Sequence, residues 1–109
     1  ITDAMRATGL HDGKYDLGGQ DVFVKGHEAR LANGSLAGST LTMDRAFKNA
    51  LKFLDSNIIE AVKLTSTNAA DELGLSSKGK IEVGRDADLL IMDRDYNIEK
   101  IIKAGKIVS

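Results

Sequence analysis

Three groups in this 109-residue chain have types and spacings that could do chemistry. Asp3 stands in Ile1-Thr2-Asp3-Ala4-Met5, which reads as the tail of a strand delivering a carboxylate into a loop. At the C-terminal end of a barrel strand such a carboxylate is placed to move protons. A turn or capping aspartate is the competing reading. The second group is the run of small residues Asn33-Gly34-Ser35-Leu36-Ala37-Gly38-Ser39-Thr40. Small residues let a backbone approach a ligand closely, and free amides at a helix start favour anions or polarised carbonyls. No Gly-Lys-Ser/Thr follows, so the run is not a P-loop; a flexible connection with Ser39, Thr40 or Thr42 as helix cap is the alternative. The third group is His11 and His27, the only histidines. Neither falls in an HxH or HExxH spacing, and a zinc site needs three or four converging ligands. Both read as exposed loop residues, and no metal ligand is assigned within the chain.

The elements that must position these groups fall into three zones. Residues 1–40 hold Gly9, Gly13, Gly18, Gly19, Gly26, Gly34 and Gly38, seven of the eleven glycines. Asp21 to Lys25 alternates with Val22 and Val24 on one side, and Glu28 to Leu31 can pair back across Lys25-Gly26-His27. Asn33-Gly34 suits a turn with positive φ. The zone reads as a β-excursion within a long loop.

Residues 41–74 are expected to be helical. Met43, Ala46, Phe47, Ala50, Leu51 and Leu54 follow the spacing of one buried stripe. Asp55-Ser56-Asn57 should break this helix, and Asn57 with Glu60 forms a capping box for the next, lined by Ile58, Ile59, Val62 and Thr65. Thr67 or Asn68 can cap a third short helix that Gly74 ends. Residues 75–109 turn to strand. Leu89 to Met92 is a continuous apolar run of the kind covered on both faces. Ile98–Lys103 and Lys106–Val108 should form a hairpin around Ala104-Gly105.

Composition excludes several classes. Fifteen basic against 16 acidic residues, net charge −1, leave no basic surface for nucleic acid. No cysteine means no disulfide framework, thiolate nucleophile or Cys-type zinc site. The longest aliphatic stretch, Leu89 to Met92, is far short of the ~20 residues of a membrane helix, and no signal peptide is visible. The chain lacks proline, and because it opens at Ile1 without Met it reads as a piece of something longer.

Taken together, the pieces carry a resemblance. Ile1-Thr2-Asp3-Ala4-Met5, Gly9-Leu10 with Asp12-Gly13, Leu17-Gly18-Gly19-Gln20 and Gly34-Ser35-Leu36-Ala37-Gly38-Ser39-Thr40-Leu41-Thr42-Met43 stand in an order and spacing similar to the C-terminal third of the N-acetylglucosamine-6-phosphate deacetylase family, within the amidohydrolase superfamily. Thr67-Asn68-Ala69-Ala70, Gly74-Leu75, Gly79-Lys80-Ile81 and Gly84-Arg85-Asp86-Ala87-Asp88-Leu89 resemble the C-terminal signature shared across that superfamily. The likeness covers essentially the whole chain. Its first half is specific to the deacetylases, its second half only to amidohydrolases. His11 departs from it, standing where this family often has proline.

The resemblance implies an α/β fold: the C-terminal portion of a (β/α)8 TIM barrel, with the last strand ending at Asp3 and helices outside, plus strands of a small β-sandwich domain. Residues 1–75 would be the end of the hydrolase barrel and residues 76–109 the sandwich strands. It also implies a divalent metal, zinc or iron-like, bound mainly by residues outside this chain. In such enzymes the metal polarises the acetamide carbonyl and acidifies a water. Asp3 matches the catalytic aspartate, a general base toward that water and then a general acid toward the sugar amine.

Leu36, Ala37, Gly38 and Ser39 match a substrate-contacting loop. Leu36 and Ala37 would offer apolar contact and Ser39 a hydrogen bond. Gly38 would allow close backbone approach, so valine there would cost turnover while sparing the fold. Arg85 and Asp88 take a structural reading. The implied partner is a small amino-sugar phosphate, its phosphate held by basic residues upstream, with no nucleic acid and no membrane. The intact enzyme would be cytoplasmic and homo-oligomeric, and the isolated chain inactive. Two readings stay open beside it: another amidohydrolase, dihydroorotase-like or aminoacylase-like, and a non-catalytic interaction module.

Overall fold

The computed structural model describes all of residues 1–109, which divide into two compact units, 1–46 and 47–109. The first unit is a three-stranded antiparallel sheet with β1 (Gly13–Leu17), β2 (Gln20–Lys25) and β3 (Glu28–Leu31) in that order. Gly18 and Gly19, both at positive φ, make the tight connection from β1 to β2. The β2–β3 hairpin pairs Lys25 with Glu28, as the alternation of β2 predicts. The Asp12 carboxylate accepts from the Gly26 N–H at 2.8 Å and ties the start of β1 to that turn. Val22 and Val24 face inward with Ala29 and are joined by Met5, Ala7 and Ala37, while Tyr15 and Leu31 pack at the edge. Phe23, one residue out of phase, is exposed. Strand β1 was not legible in the sequence: Gly-Lys-Tyr-Asp-Leu has no apolar alternation, and its strand character comes from pairing against β2.

Helix α1 (Met43–Phe53) spans the junction of the units in sequence. Of its expected buried stripe only Phe47 is buried, set edge-to-face against Tyr96 with ring centroids 5.4 Å apart. Met43 and Leu54 are exposed. Asp55, at φ +49, stops the helix, and the Ser56 hydroxyl donates to the Ala50 carbonyl at 2.9 Å. Asn57 then caps α2 (Ile58–Val62) in the expected box: its side chain accepts from the Glu60 N–H while Glu60 accepts from the Asn57 N–H.

The expected third cap does not exist. Thr67 has helical angles, φ −60 and ψ −48, and the chain runs on through a wide π turn, Lys63–Thr67, into α3 (Asn68–Glu72). The hydroxyls are spent otherwise: Thr65 donates to the Ala61 carbonyl at 2.8 Å and Thr67 to the Gly79 carbonyl at 2.7 Å. Such bonds compete with capping geometry. Gly74, at φ +66, closes α3 as expected, with Gly74 N–H donating to Asp71 and Leu75 N–H to Ala70.

The second sheet orders β4 (Leu89–Met92), β5 (Ile98–Lys103) and β6 (Lys106–Ile107), all antiparallel, with a register shift between Ile91 and Met92. Ala104 and Gly105, both at positive φ, form the expected β5–β6 turn. Double cover of β4 is not observed: Leu90 and Ile91 are exposed while Leu89 and Met92 are half-buried. An apolar run marks a strand that wants cover and does not supply the element that provides it.

Asp88 anchors this sheet. Lys103 Nζ lies 2.5 Å and Lys78 Nζ 2.8 Å from its Oδ2, and the Ala104 N–H donates to its Oδ1 at 2.9 Å. Lys103, then Lys78 and the Ala104 amide, hold the Asp88 carboxyl well below the usual range. Asp88 and Asp86 push the Lys78 ammonium above its ordinary value. Arg85 joins the same segment through Glu82 at 2.7 Å and the Ser76 carbonyl.

Two outcomes follow for measurement. A carboxyl depressed on folding contributes stability above its unfolded value, about pH 4, that is lost as pH falls. The raised lysine contributes below about pH 10.4 and loses that contribution above it. Asp88→Asn in the full-length protein is expected to flatten the acid-side fall of the urea midpoint, modestly because the pair is solvent-screened. An acid limb identical to wild type would place the titration elsewhere. The isolated polypeptide 1–109, with Ile59 66%, Phe53 69% and Leu73 72% exposed, is expected to self-associate or to unfold without cooperativity. Sedimentation together with urea unfolding checks this; a cooperative monomer would contradict it.

Candidate active site

Asp3 is not carried by a regular strand. Residues 1–3 are irregular, and only Ala4 pairs, in an isolated parallel bridge with Ser39. One bridge alone has no neighbouring strand in this unit with which to extend a ladder. Asp3 adopts φ +50, a left-handed conformation that aspartate tolerates better than most residues. Its side chain is exposed and lies outside the unit's ion pairs, Arg6–Asp16, Lys14–Asp21 and Arg30–Glu28.

The bridge brings together the two segments singled out in the sequence. The Met5 N–H donates to the Ser39 carbonyl at 2.8 Å and the Thr8 hydroxyl donates to the same oxygen at 3.2 Å. Farther along, the Ala37 N–H donates to the Ala29 carbonyl at 2.8 Å and the Thr40 hydroxyl to the His27 carbonyl at 2.9 Å. The Leu36–Thr40 segment thus lies between residues 3–8 and β3. Leu36 is 68% exposed and Ala37 only 6%, its methyl packed in the core. The Ser39 hydroxyl oxygen accepts from the Leu41 N–H at 3.0 Å, a bond that does not use its hydroxyl proton. Ser39 and Thr40 therefore serve this segment and do not cap α1.

His11 and His27 are exposed, and the chain contributes their backbone carbonyls, to Tyr15 and Thr40, as acceptors. No three or more His, Asp or Glu side chains gather to hold a metal. The donor set of this chain does not by itself fit a metal ion. Of the two threonines that fasten the segment on its two sides, Thr40 reads from sequence only as part of the small-residue run or a helix cap, and Thr8 is not found there. A single threonine such as Thr8 carries no periodic or motif signal, and only the long-range partners reveal the fastening role of both.

The profile of the amidohydrolase family matches residues 4–108. The chain belongs to the amidohydrolase family. Among curated relatives it is 50% identical to an N-acetylglucosamine-6-phosphate deacetylase of Lysinibacillus sphaericus over 98% of the chain and 28% of the relative. It is 44% identical to that of Bacillus subtilis (strain 168), over 98% of the chain and 27% of the relative. The chain thus spans about 28% of the length of the first of these relatives. The crystal structure of N-acetylglucosamine-6-phosphate deacetylase from Thermotoga maritima superposes with TM-score 0.90 at 44% identity, covering 100% of this chain and 30% of that one. A mutant of the Mycobacterium smegmatis enzyme in complex with N-acetyl-D-glucosamine-6-phosphate gives TM-score 0.85 at 37% identity, covering 99% and 29%.

In this amidohydrolase chain Gly38 has a local reason to be glycine. Its φ is +78, and an added Cβ would meet Met5 Cβ and Sδ and Leu17 Cδ2, each at 3.4 Å. A Cβ there would only reach ordinary van der Waals contact, so the requirement is conformational: the positive φ strains a branched L residue, which revises the expectation that valine there spares the fold. Gly38→Val in the full-length protein is expected to cost about 1–3 kcal/mol of stability, read as a lowered urea midpoint. An unchanged midpoint would mean that the loop relaxes freely and that only the ligand-side argument for Gly38 remains.

Proposed function

We propose that the full-length protein hydrolyses the acetamide of N-acetylglucosamine 6-phosphate to glucosamine 6-phosphate and acetate. The observation that carries this reading is the 50% identity over 98% of the chain to a deacetylase of that name. The substrate-bound Mycobacterium smegmatis neighbour supports the sugar phosphate as ligand class. N-acetylgalactosamine-6-phosphate deacetylase of Escherichia coli O157:H7, at 36% identity, makes the epimeric sugar the natural comparison substrate.

In this proposal residues 1–75 are the end of a TIM barrel whose last strand ends at Asp3, and residues 76–109 belong to a small β-sandwich. A divalent metal, zinc or iron-like, is held by residues outside this chain and supplies polarisation of the amide carbonyl. The chain's own part is proton transfer and orientation. Asp3 accepts the proton of the attacking water and returns it to the sugar nitrogen as the C–N bond breaks. Its exposed carboxylate, free of the unit's ion pairs, suits a group that must do both. Leu36 offers the apolar contact and Ser39 a hydroxyl donor. The enzyme is cytoplasmic and homo-oligomeric in this reading. No helix of the structure is long and apolar enough to cross a membrane.

Asp3→Asn in the full-length enzyme keeps the shape and removes the proton carrier. Turnover of N-acetylglucosamine 6-phosphate is expected to fall ~10²–10⁴-fold in kcat, with KM changed far less because the role is realised in the transition state. Metal content is measured in parallel. A fully metallated variant with near-wild-type kcat would remove Asp3 from the chemistry and leave it a turn residue. Turnover of the galacto epimer in preference to the gluco sugar would reassign the substrate.

A further inference from the structure

We infer that Thr8 is a positioning residue for Asp3: its hydroxyl locks the one backbone pairing that sets Asp3 beside the Leu36–Ser39 loop. The inference rests on the catalytic reading of Asp3 above. The Ser39 carbonyl oxygen takes two donors, the Met5 N–H at 2.8 Å and the Thr8 hydroxyl at 3.2 Å, so both of its lone pairs are used. The Met5 bond belongs to an isolated bridge and has no ladder on either side to reinforce it. Thr8 supplies that reinforcement from a second direction. Its own N–H donates to the Met5 carbonyl at 3.0 Å, so its main chain closes the turn that starts at Met5 while its side chain fastens that turn to Ser39.

The conformation of Asp3 makes this clamp consequential. Asp3 sits two residues before Met5 at φ +50, and a left-handed non-glycine residue persists only where its surroundings over-determine it. The pairing at Met5 is the nearest such constraint. If it loosens, Asp3 can return to the ordinary negative-φ region and its carboxylate changes direction. Thr8 is half-buried, so water does not freely take the place of its hydroxyl. A hydroxyl that touches neither substrate nor reacting atoms then acts on the reaction through Asp3.

The test uses the full-length, metal-loaded enzyme with N-acetylglucosamine 6-phosphate, comparing wild type, Thr8→Val, Thr8→Ser, Asp3→Asn and the double variant Asp3→Asn/Thr8→Val. Thr8→Val is expected to lower kcat roughly three- to tenfold, the size of one neutral hydrogen bond, with KM nearly unchanged. Thr8→Ser, which keeps the hydroxyl, is expected to restore it. In the Asp3→Asn background Thr8→Val should change kcat by less than about twofold, because the group it positions is gone. Urea midpoints establish that each variant is folded, and Thr8→Ala takes the place of Thr8→Val if valine does not fold. Wild-type kcat in the folded Thr8 variant, an equal loss in both backgrounds, or no rescue by serine would overturn the inference while leaving Asp3 catalytic. Near-wild-type kcat in Asp3→Asn alone would overturn the reading of Asp3, and the role of Thr8 with it.

Discussion

The arrangement of the candidate site depends on one carbonyl oxygen, that of Ser39, and the two donors that converge on it. Residues 3–8 carry no regular structure of their own; Met5, Ala7 and Ala37 share a core, and this contact fixes how the Asp3 segment and the small-residue loop are paired. With it, a left-handed Asp3 and an exposed Leu36 stand on neighbouring segments. The β2–β3 hairpin backs the arrangement through the Ala37–Ala29 hydrogen bond and the Thr40 hydroxyl on the His27 carbonyl. The core of Val22, Val24, Ala29, Ala37, Met5 and Ala7 is small, so these polar contacts set position while apolar burial supplies cohesion.

The second unit shows the reverse balance. Its apolar side chains on α2 and β4 are largely exposed, and its order comes from turns, caps and charge. The Asn57–Glu60 box, the Gly74 helix stop, the Ala104-Gly105 turn and the Asp88 network each satisfy local polar groups. Gly79 fits the same pattern: at φ +80, with its carbonyl held by Thr67, it lies so close to Ala70 that an added Cβ would come within 2.7 Å of the alanine methyl. An element arranged this way presents an apolar face ready for cover, which accords with a chain matching less than a third of the length of its first relative.

Local chemistry was legible from the residues alone wherever the signal lies within a few positions along the chain. The Asn57 capping box, the Gly74 stop, the Gly26-His27 and Ala104-Gly105 turns and the inward pair Val22 and Val24 need only short-range sterics and hydrogen bonding, and the order of the glycine-rich motifs carried the family. Tertiary structure decided what depends on partners far away in sequence. It made a strand of Gly13–Leu17, ran the helix through Thr67 without a cap, turned Ala37 into the core and set Gly38 at a positive φ that glycine adopts without strain. It also joined Asp3 to Ser39 through Met5 and Thr8, across more than thirty residues. A hydrogen bond of that span leaves no spacing to read, because loop length between its ends is almost free in energy while the geometry at its ends is not.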